Sequence, residues 1–235
     1  YRFATRCKLW LSEQNVSIWV SNDYFAKLYS SWLPKVVLPK PRPFQLQLID
    51  SYLNQNSENS VSSNRDMVKL FYHGSASHQA ELEWLVPVIK SVLEQCPNAV
   101  FEVIGKKKVA ALFKGIPRVE VIAPMGWPEY QAFIQKPGRD IGLAPLIDNA
   151  FNAARSYTKF FDISAAGAVG VYPVNSELAR FVERDLGLSE QSLGIVLPME
   201  QKAWIDKLVY LINEPSAAMV FRRNAYQFML ESGGL

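Results

Sequence analysis

The sequence has little cysteine and histidine, and this scarcity excludes the commonest metal and disulfide frameworks. It contains two cysteines, Cys7 and Cys96, and two histidines, His73 and His78, among 235 residues. The cysteines lie far apart and form no CxxC pair, so the ligand spacing of a zinc site is absent. We therefore predict no metal site. Two such cysteines do not make a disulfide framework either, which favours a reducing, cytoplasmic setting.

The sequence also lacks a large charge excess and a long apolar run. Lysine and arginine number 25 against 22 aspartate and glutamate, a net charge of +3. This balance excludes a nucleic-acid partner bound through bulk charge, so any phosphate recognition must be local. No apolar stretch approaches the roughly 20 residues of a membrane-spanning helix, so no transmembrane segment is expected. Attachment to the periphery of a membrane is left open.

The pattern of apolar and polar residues divides the chain into three parts. Residues 1–45 begin at Tyr1 and read like the middle of a domain, which predicts a piece of a longer chain. Within them, SIWV at 17–20 predicts a strand, and a helix is expected to follow. Residues 46–66 are rich in serine and asparagine, as in a linker. Across 67–235, short apolar strands alternate with helices, which predicts a doubly wound Rossmann-like α/β domain with a mainly parallel sheet.

Ligands of such a sheet bind beyond the carboxyl ends of its strands, so the loops there are candidates for a site. HGSASH (73–78) follows a strand and opens a helix, where backbone amides attract anions and Gly74 allows close backbone approach. Ser75, Ser77 and His78 add side-chain donors. The alternative, favoured from the loop alone, is that Ser77 is only an N-cap and His78 a surface residue.

Two further loops carry weaker signals. GKKK (105–108) is a charge run on the first turn of a helix; we interpret it as a solvated face and assign no site there. In APMGW (123–127), Gly126 lets the backbone turn sharply. Trp127 either plugs the core or flanks a bound ring, and a core position is the commoner outcome for an aromatic side chain.

The segment FNAARSYTKFFDISAAG (151–167) carries the most informative polar side chains. Ser156, Lys159 and Asp162 follow at intervals of three and are expected on one helical face, with Arg155 at the junction of loop and helix. Near a helix N-terminus, the hydroxyl and the two cations can hold a diphosphate. Asp162, one turn deeper, can accept hydrogen bonds from two ribose hydroxyls. The alternative is a solvated ion pair between Asp162 and a basic neighbour, and the residues alone do not decide between the two.

Taken together and in this order, the motifs resemble the C-terminal, nucleotide-sugar-binding half of GT-B fold glycosyltransferases of the retaining group 1 type. The resemblance covers about residues 68–181 and is carried by YHGSASH, FEVIG, VIAPMGWPEYQAF and DIGLAPLIDNAFNAARSYTKFFDISAAGAVGVY. It implies that residues 1–45 are a remnant of the N-terminal domain and that 67–235 bind the donor nucleotide.

The resemblance also implies roles for matching positions. Asp162 takes the place of the acid that binds the donor ribose, which is glutamate in most relatives. The residues implied around the diphosphate are Gly74, Ser75, Arg155, Ser156 and Lys159. The residues implied along the base are Met125, Gly126 and Trp127.

The sequence departs from the family pattern at one position. Relatives commonly carry two glutamates separated by seven residues, but Ala154 stands eight residues before Asp162. Asp148 and Asn152 are candidate substitutes for the missing acid. No catalytic residue is assigned, with His78 and Asn152 as the candidates.

The function expected from this resemblance is transfer of a sugar from a nucleoside diphosphate sugar to an acceptor hydroxyl, with retention and without metal or cofactor. In such enzymes the N-terminal domain binds most of the glycan, lipid-linked or small-molecule acceptor, so activity of this chain alone is left open. The alternative is a non-catalytic nucleotide- or carbohydrate-binding module of a larger assembly protein, which the missing acid favours. A dinucleotide enzyme such as a nucleotide-sugar epimerase is disfavoured because the sequence has no GxGxxG motif.

Overall fold

The computed structural model describes residues 2–14, 16–33, 35–38, 67–74, 78–153, 155–183 and 192–233. The predicted linker at 46–66 lies outside the described residues, and so do Ser75, Ser77 and Ala154. The linker and the division into domains therefore stay predictions.

The N-terminal segment contains two short strands and two helices in the described residues. They are α1 (Arg2–Glu13), β1 (Ile18–Trp19), α2 (Asp23–Ser30) and β2 (Val36–Val37). The two strands pair in parallel and form a sheet separate from the main one. Helix α2 begins with Asn22 as its N-cap, whose side chain accepts a hydrogen bond from the Phe25 N–H at 2.9 Å. The predicted strand followed by a helix is confirmed.

The main sheet has six strands in the described residues, all parallel to their neighbours. They are β3 (Val68–Tyr72), β4 (Ala99–Ile104), β5 (Val119–Ile122), β6 (Ile141–Leu143), β7 (Val169–Pro173) and β8 (Ile195–Leu197). Their spatial order, β5-β4-β3-β6-β7-β8, is that of a Rossmann fold. The order reverses between β3 and β6, and this arrangement confirms the predicted doubly wound parallel sheet.

Helices cover both faces of this sheet. They are α3 (Gln79–Gln95), α4 (Lys107–Leu112), α5 (Trp127–Ile134), α6 (Ala150–Ala153), α7 (Thr158–Ala165), α8 (Glu177–Glu183), α9 (Gln201–Asn213) and α10 (Ser216–Gly233). One core cluster joins the sheet to α3 and α9 through residues such as Leu85 and Trp204. The other joins it to α7, α8 and α10 through Phe160, Phe181 and Met229. The short helix α6 lies between β6 and α7.

Two glycines fix helix α7, which carries the predicted binding residues. The helix ends in a Schellman motif: Gly167 has a φ of 68°, and the Ala168 N–H bonds the Ile163 carbonyl at 3.2 Å. A Cβ on Gly142 of β6 would lie 2.5 Å from Ile163. The absence of a side chain at Gly142 therefore lets α7 pack closely on the sheet, and the backbone holds the helix in place.

Candidate functional site

A cleft of about 1260 Å³ lies at the carboxyl ends of the strands. Loops that follow β3, β4, β5 and β6 contribute to its walls. It is located where the strand order reverses, the position at which open α/β sheets bind their ligands. The predicted site residues that line it are Gly74, His78, Met125, Trp127, Arg155, Ser156, Lys159 and Asp162. The structure thus brings together residues from loops that are distant in sequence.

Other predicted residues are placed differently. Neither Asn152 nor Asp148 is among the described residues that line the cleft, and their role as substitutes for the missing family acid stays a prediction. Gly126 is the N-cap of α5 with a φ of −69°, and a Cβ there would meet nothing within 4 Å. The backbone at Gly126 therefore has a conformation that other residues also adopt, and its turn does not depend on glycine. Ser75 lies outside the described residues.

Asp162 is a buried acid in the wall of the cleft. It is 8% exposed, and its Oδ1 has no hydrogen-bond partner among the described residues. Burial raises the pKa of Asp162 to about 6, although the charge of Lys159 and a hydrogen bond from Tyr130 act in the opposite direction. An unpaired buried acceptor is costly, so this carboxylate is suited to hydrogen bonds donated by a ligand.

Lys159 lies one turn before Asp162 on α7. Its Nζ is 4.6 Å from the centroid of the Tyr72 ring, a cation–π contact. Burial lowers the pKa of Lys159 to about 8, while the charge of Asp162 acts to raise it. Within the described ranges, Lys159 forms no ion pair with a carboxylate. The alternative of a solvated ion pair with Asp162 is therefore wrong; we call Lys159 and Asp162 the helix pair.

Ser156 and Arg155 precede α7. Ser156 is outside the helix, so the prediction that it shares one helical face with Lys159 is wrong; its Oγ lies 2.8 Å from Thr158 Oγ1. The Arg155 carbonyl accepts a hydrogen bond from Asn22 Nδ2 at 2.9 Å. Asn22 is fully buried and also caps α2, so the N-terminal segment directly supports this loop.

The guanidinium of Arg155 contacts the ring of His78, with Nη2 3.2 Å from Nδ1. The same Nδ1 lies 3.7 Å from the carboxylate of Glu81, which accepts a hydrogen bond from Asn152 Nδ2 at 2.6 Å. Burial lowers the pKa of His78, which favours a neutral ring. Burial acts to raise the pKa of Glu81, but hydrogen bonds from His78 and Asn152 outweigh it and bring the pKa to about 2.

Glu81 is a residue that the sequence interpretation missed. It is buried on the first turn of α3 and places a negative charge beside the predicted His78 and Arg155. Its spacing of three residues from His78 at the start of a helix was the available signal. The alternative interpretation of His78 as a surface residue is wrong, because this side chain is buried.

A second group of charged residues, of which His73 lines the cleft, was also missed. His73, Glu102 and Arg139 are each less than 7% exposed; we call them the buried cluster. Glu102 Oε1 is 2.9 Å from His73 Nε2 and accepts a hydrogen bond from Arg139 Nε at 2.6 Å. Burial lowers the pKa of His73 to about 4, so its ring is neutral at neutral pH. Glu102 interrupts the otherwise apolar strand AVFEVI, which was the available signal.

The pKa of Glu102 differs from that of Asp162 although both acids are buried. Burial acts to raise the pKa of Glu102, but hydrogen bonds from His73 and Arg139 outweigh it and bring the pKa to about 2. Glu102 is therefore a stable carboxylate, fully supplied with donors.

The GKKK loop contributes to the cleft after all. Lys106, Lys107 and Lys108 are exposed, as expected of a solvated run, and they also line the cleft, which the sequence did not indicate. With Arg155 and Lys159 they give five cationic side chains against one carboxylate, Asp162, among the described lining residues. The cleft therefore has a positive potential that a chain of nearly balanced charge does not have overall.

Trp127 occupies the rim of the cleft. It is 53% exposed and stacks on Tyr130, with ring centroids 5.8 Å apart and planes inclined by 30°. The expectation that Trp127 plugs the core is therefore wrong. Its exposed ring lies where a flat ligand group can stack against it.

No family model matches the sequence, and no curated protein matches it. Solved structures match by fold. The pneumococcal O-GlcNAc transferase GtfA in complex with UDP and GlcNAc has a TM-score of 0.59 at 14% identity, over 91% of this chain and 41% of that one. A point mutant of S. aureus TarM in complex with Fondaparinux, alpha-GlcNAc-glycerol and UDP has a TM-score of 0.58 at 12% identity. The match covers 93% of this chain and 41% of that one.

A third structure matches this chain over most of its own length. The C-terminal domain of a glycosyl transferase group 1 family protein, LpcC, from Francisella tularensis is covered over 84% of its length, with a TM-score of 0.51 and 14% identity over 70% of this chain. The chain has the fold of the C-terminal half of a GT-B glycosyltransferase. This half spans 41% of the length of the GtfA and TarM structures. The fold implied by the sequence resemblance is confirmed.

None of the helices in the described ranges has the length and apolar character needed to cross a membrane.

Proposed function

We propose that this GT-B half binds a nucleoside diphosphate sugar, and that the protein transfers the sugar to an acceptor hydroxyl in the cytoplasm. The observation that carries the proposal is a cleft with five cationic side chains and one buried carboxylate whose Oδ1 has no partner among the described residues. A diphosphate requires positive charge, and a ribose requires an acceptor for its hydroxyls. A nucleoside diphosphate presents both groups next to each other.

In this proposal the diphosphate binds between Arg155 and Lys159. Both residues lie at the N-terminal end of α7, where backbone N–H groups lack partners within the helix and attract anions. Burial disfavours the charge on Lys159, and a bound phosphate would offset that cost with a charge-assisted hydrogen bond. Ser156 and the backbone at Gly74 add neutral donors from the two sides of the cleft.

The nucleoside then lies along the wall formed by α5 and α7. Asp162 accepts hydrogen bonds from ribose hydroxyls, which supply the donors that its buried oxygen lacks among the described residues. The base lies against the loop that contains Met125, with the exposed ring of Trp127 at its edge. This arrangement retains the sequence-based roles for the three groups of residues.

The proposed chemistry is electrostatic stabilisation of the departing diphosphate. As the sugar–phosphate bond breaks, negative charge grows on the phosphate oxygens, and fixed cations beside them stabilise the transition state. Arg155 and Lys159 supply this charge without a metal ion, and we propose transfer with retention at the anomeric carbon. The acceptor is proposed to bind mainly to another part of the enzyme.

Titration calorimetry of the chain with UDP-, GDP-, ADP- and CMP-linked sugars tests the proposal. UDP-sugars come first because the pneumococcal and staphylococcal structures hold UDP. We expect one nucleotide class to bind, and Arg155→Ala or Lys159→Ala to weaken the nucleoside diphosphate far more than the bare nucleoside. Lys202→Ala is the matched control, because Lys202 is an exposed lysine on α9 paired with Asp206 at 2.6 Å. Equal losses for nucleoside and nucleoside diphosphate would contradict the phosphate assignment.

A further inference from the structure

Asn22 lies at the turn between β1 and α2, and its side chain contacts a loop of the cleft. Its Nδ2 donates a hydrogen bond at 2.9 Å to the carbonyl of Arg155, which is 133 residues further along the chain. Its Oδ1 accepts a hydrogen bond from the Phe25 N–H at 2.9 Å and so caps α2. Asn22 is fully buried, and a buried amide needs partners for both its oxygen and its nitrogen. These two bonds provide them.

The residue type at position 22 follows from these two partners. Asparagine, aspartate and serine all cap helices well, because each offers a side-chain oxygen to the N–H groups of the first turn. Aspartate has no donor for the Arg155 carbonyl, and serine has a shorter side chain. Capping of α2 alone therefore does not require asparagine at this position, whereas capping together with the bond to Arg155 does.

The backbone of Arg155 is held from two sides. Its N–H donates to the Asn152 carbonyl at 3.1 Å, and its carbonyl accepts from Asn22. That carbonyl and the Ser156 N–H belong to one planar peptide unit, so fixing the carbonyl also fixes the N–H, which points the opposite way. Arg155 and Ser156 both line the cleft. Asn22 therefore fixes the backbone from which two side chains of the cleft extend.

We propose that Asn22 is a positioning residue for diphosphate binding: its amide holds the Arg155–Ser156 peptide in the conformation that presents both residues to the ligand. This inference rests on the proposed function, in which Arg155 and Ser156 bind the diphosphate. Asn22 is not among the described residues that line the cleft, so it acts on a ligand through the loop. A loop that is ordered before the ligand arrives loses less conformational freedom on binding, which raises the affinity.

The same hydrogen bond also attaches α2, which has no buried residue of its own, to the loop. A merely structural role of Asn22 would be to secure α2. Ala26→Gly separates this role from positioning of the loop. The change weakens α2 because glycine is a poor helix former, but it leaves the Asn22 side chain and both of its hydrogen bonds in place.

Calorimetry of UDP and uridine binding tests the inference with two variants of Asn22. Asn22→Asp keeps the shape and the capping oxygen but loses the donor, and Asn22→Ser keeps a capping oxygen without introducing a charge. Each is expected to weaken UDP binding about fivefold, within the range for one lost neutral hydrogen bond, and to leave uridine binding unchanged. Ala26→Gly should alter neither. Unaltered UDP affinity in Asn22→Ser, equal losses for UDP and uridine, or the same UDP loss in Ala26→Gly would overturn the inference.

NMR spectra of the free protein test the contact separately from the proposed function. The Ser156 amide shares its peptide unit with the Arg155 carbonyl, so its ¹⁵N resonance responds when that carbonyl loses its donor. Asn22→Ser should shift this resonance, and Ala26→Gly should leave it in place. A Ser156 resonance that does not move in Asn22→Ser would refute the positioning role. Failure of the wild type to bind any nucleotide would instead refute the proposed function, and the Ser156 resonance would still decide whether Asn22 holds the peptide.

Discussion

The buried cluster and the helix pair both contain charges removed from water, but they meet the cost of burial differently. In the buried cluster, Glu102 receives hydrogen bonds from two partners and its pKa falls to about 2. In the helix pair, the pKa of Asp162 rises to about 6 and that of Lys159 falls to about 8, both toward the neutral form. A buried charge with its partners in place serves the fold, whereas one that lacks them is suited to a ligand.

The largest effect is expected from breaking the buried cluster. Arg139→Ala removes two hydrogen bonds to the buried Glu102 carboxylate and should lower the free energy of unfolding by about 3–5 kcal/mol. His73 and the Lys69 ammonium, 3.5 Å away, remain beside Glu102. Urea denaturation measures this loss. Lys202→Ala, which removes an exposed partner of Asp206, should change stability by less than about 1 kcal/mol. A loss of similar size in both variants would show that the buried cluster does not stabilise the fold.

Substitutions in the helix pair should weaken ligand binding and not the stability of the free protein. Lys159→Met and Asp162→Asn are expected to leave the stability of the free protein level or slightly raised, because each removes an incompletely compensated charge, which is partly buried at Lys159 and buried at Asp162. The same changes should weaken nucleoside diphosphate binding by about 1–3 kcal/mol, and raising the salt concentration should weaken the wild-type complex. Denaturation measures the stability and calorimetry measures the affinity of the same preparations. Lower stability with unchanged affinity would mean that the helix pair stabilises the fold and does not bind the ligand.

The two groups should also respond to pH with opposite slopes. The folded-state pKa of Asp162 lies above its ordinary value of 3.8, so the folded state holds this proton more tightly and stability at this site falls as pH rises from about 4 to 6. Glu102, with a folded-state pKa below 4.5, contributes stability that is lost as pH falls from about 4.5 toward 2.

The difference in unfolding free energy between the wild type and Asp162→Asn isolates the Asp162 effect, because the buried cluster is common to both. Between pH 4 and 7, the unfolding free energy of the wild type should fall relative to that of Asp162→Asn by on the order of 2 kcal/mol. Urea denaturation at a series of pH values measures it. A difference that does not vary with pH would mean that Asp162 titrates like an exposed acid.

The position of the helix pair depends on the backbone that ends α7. Gly167→Ala forces a side chain onto a residue with a φ of 68° and should cost about 1 kcal/mol of stability. Gly126→Ala is the matched control, since its φ is −69° and its surroundings are open, and we expect little or no loss. Thermal or urea denaturation of the two variants separates them. Equal stability of both would remove the backbone requirement at Gly167.

Local patterns were sufficient to predict the fold and one side of the site. Alternating strands and helices predicted the parallel sheet, and the spacing of Lys159 and Asp162 placed both in one wall of the cleft. Glu102 and Arg139 were missed because they pair with each other and with His73 across different elements, which no short window of sequence contains. Glu81 was missed although His78 lies three residues before it. Burial was also misjudged: a tryptophan beside a helix start suggested core, yet Trp127 is exposed.

The smallest predicted effect concerns the lysines of the β4–α4 loop, which extend the positive charge of the helix pair to the rim of the cleft. Lys107→Gln should weaken nucleoside diphosphate binding by only about 0.2–1 kcal/mol, because exposed charges interact through water, and the loss should vanish at high salt. Lys90→Gln, an exposed lysine on α3 that does not line the cleft, is the control and should have no effect. Calorimetry at low and high salt measures both. A loss for Lys107→Gln that persists at high salt would mean that this lysine contacts the ligand directly, and the rim would then belong to the binding site together with the helix pair.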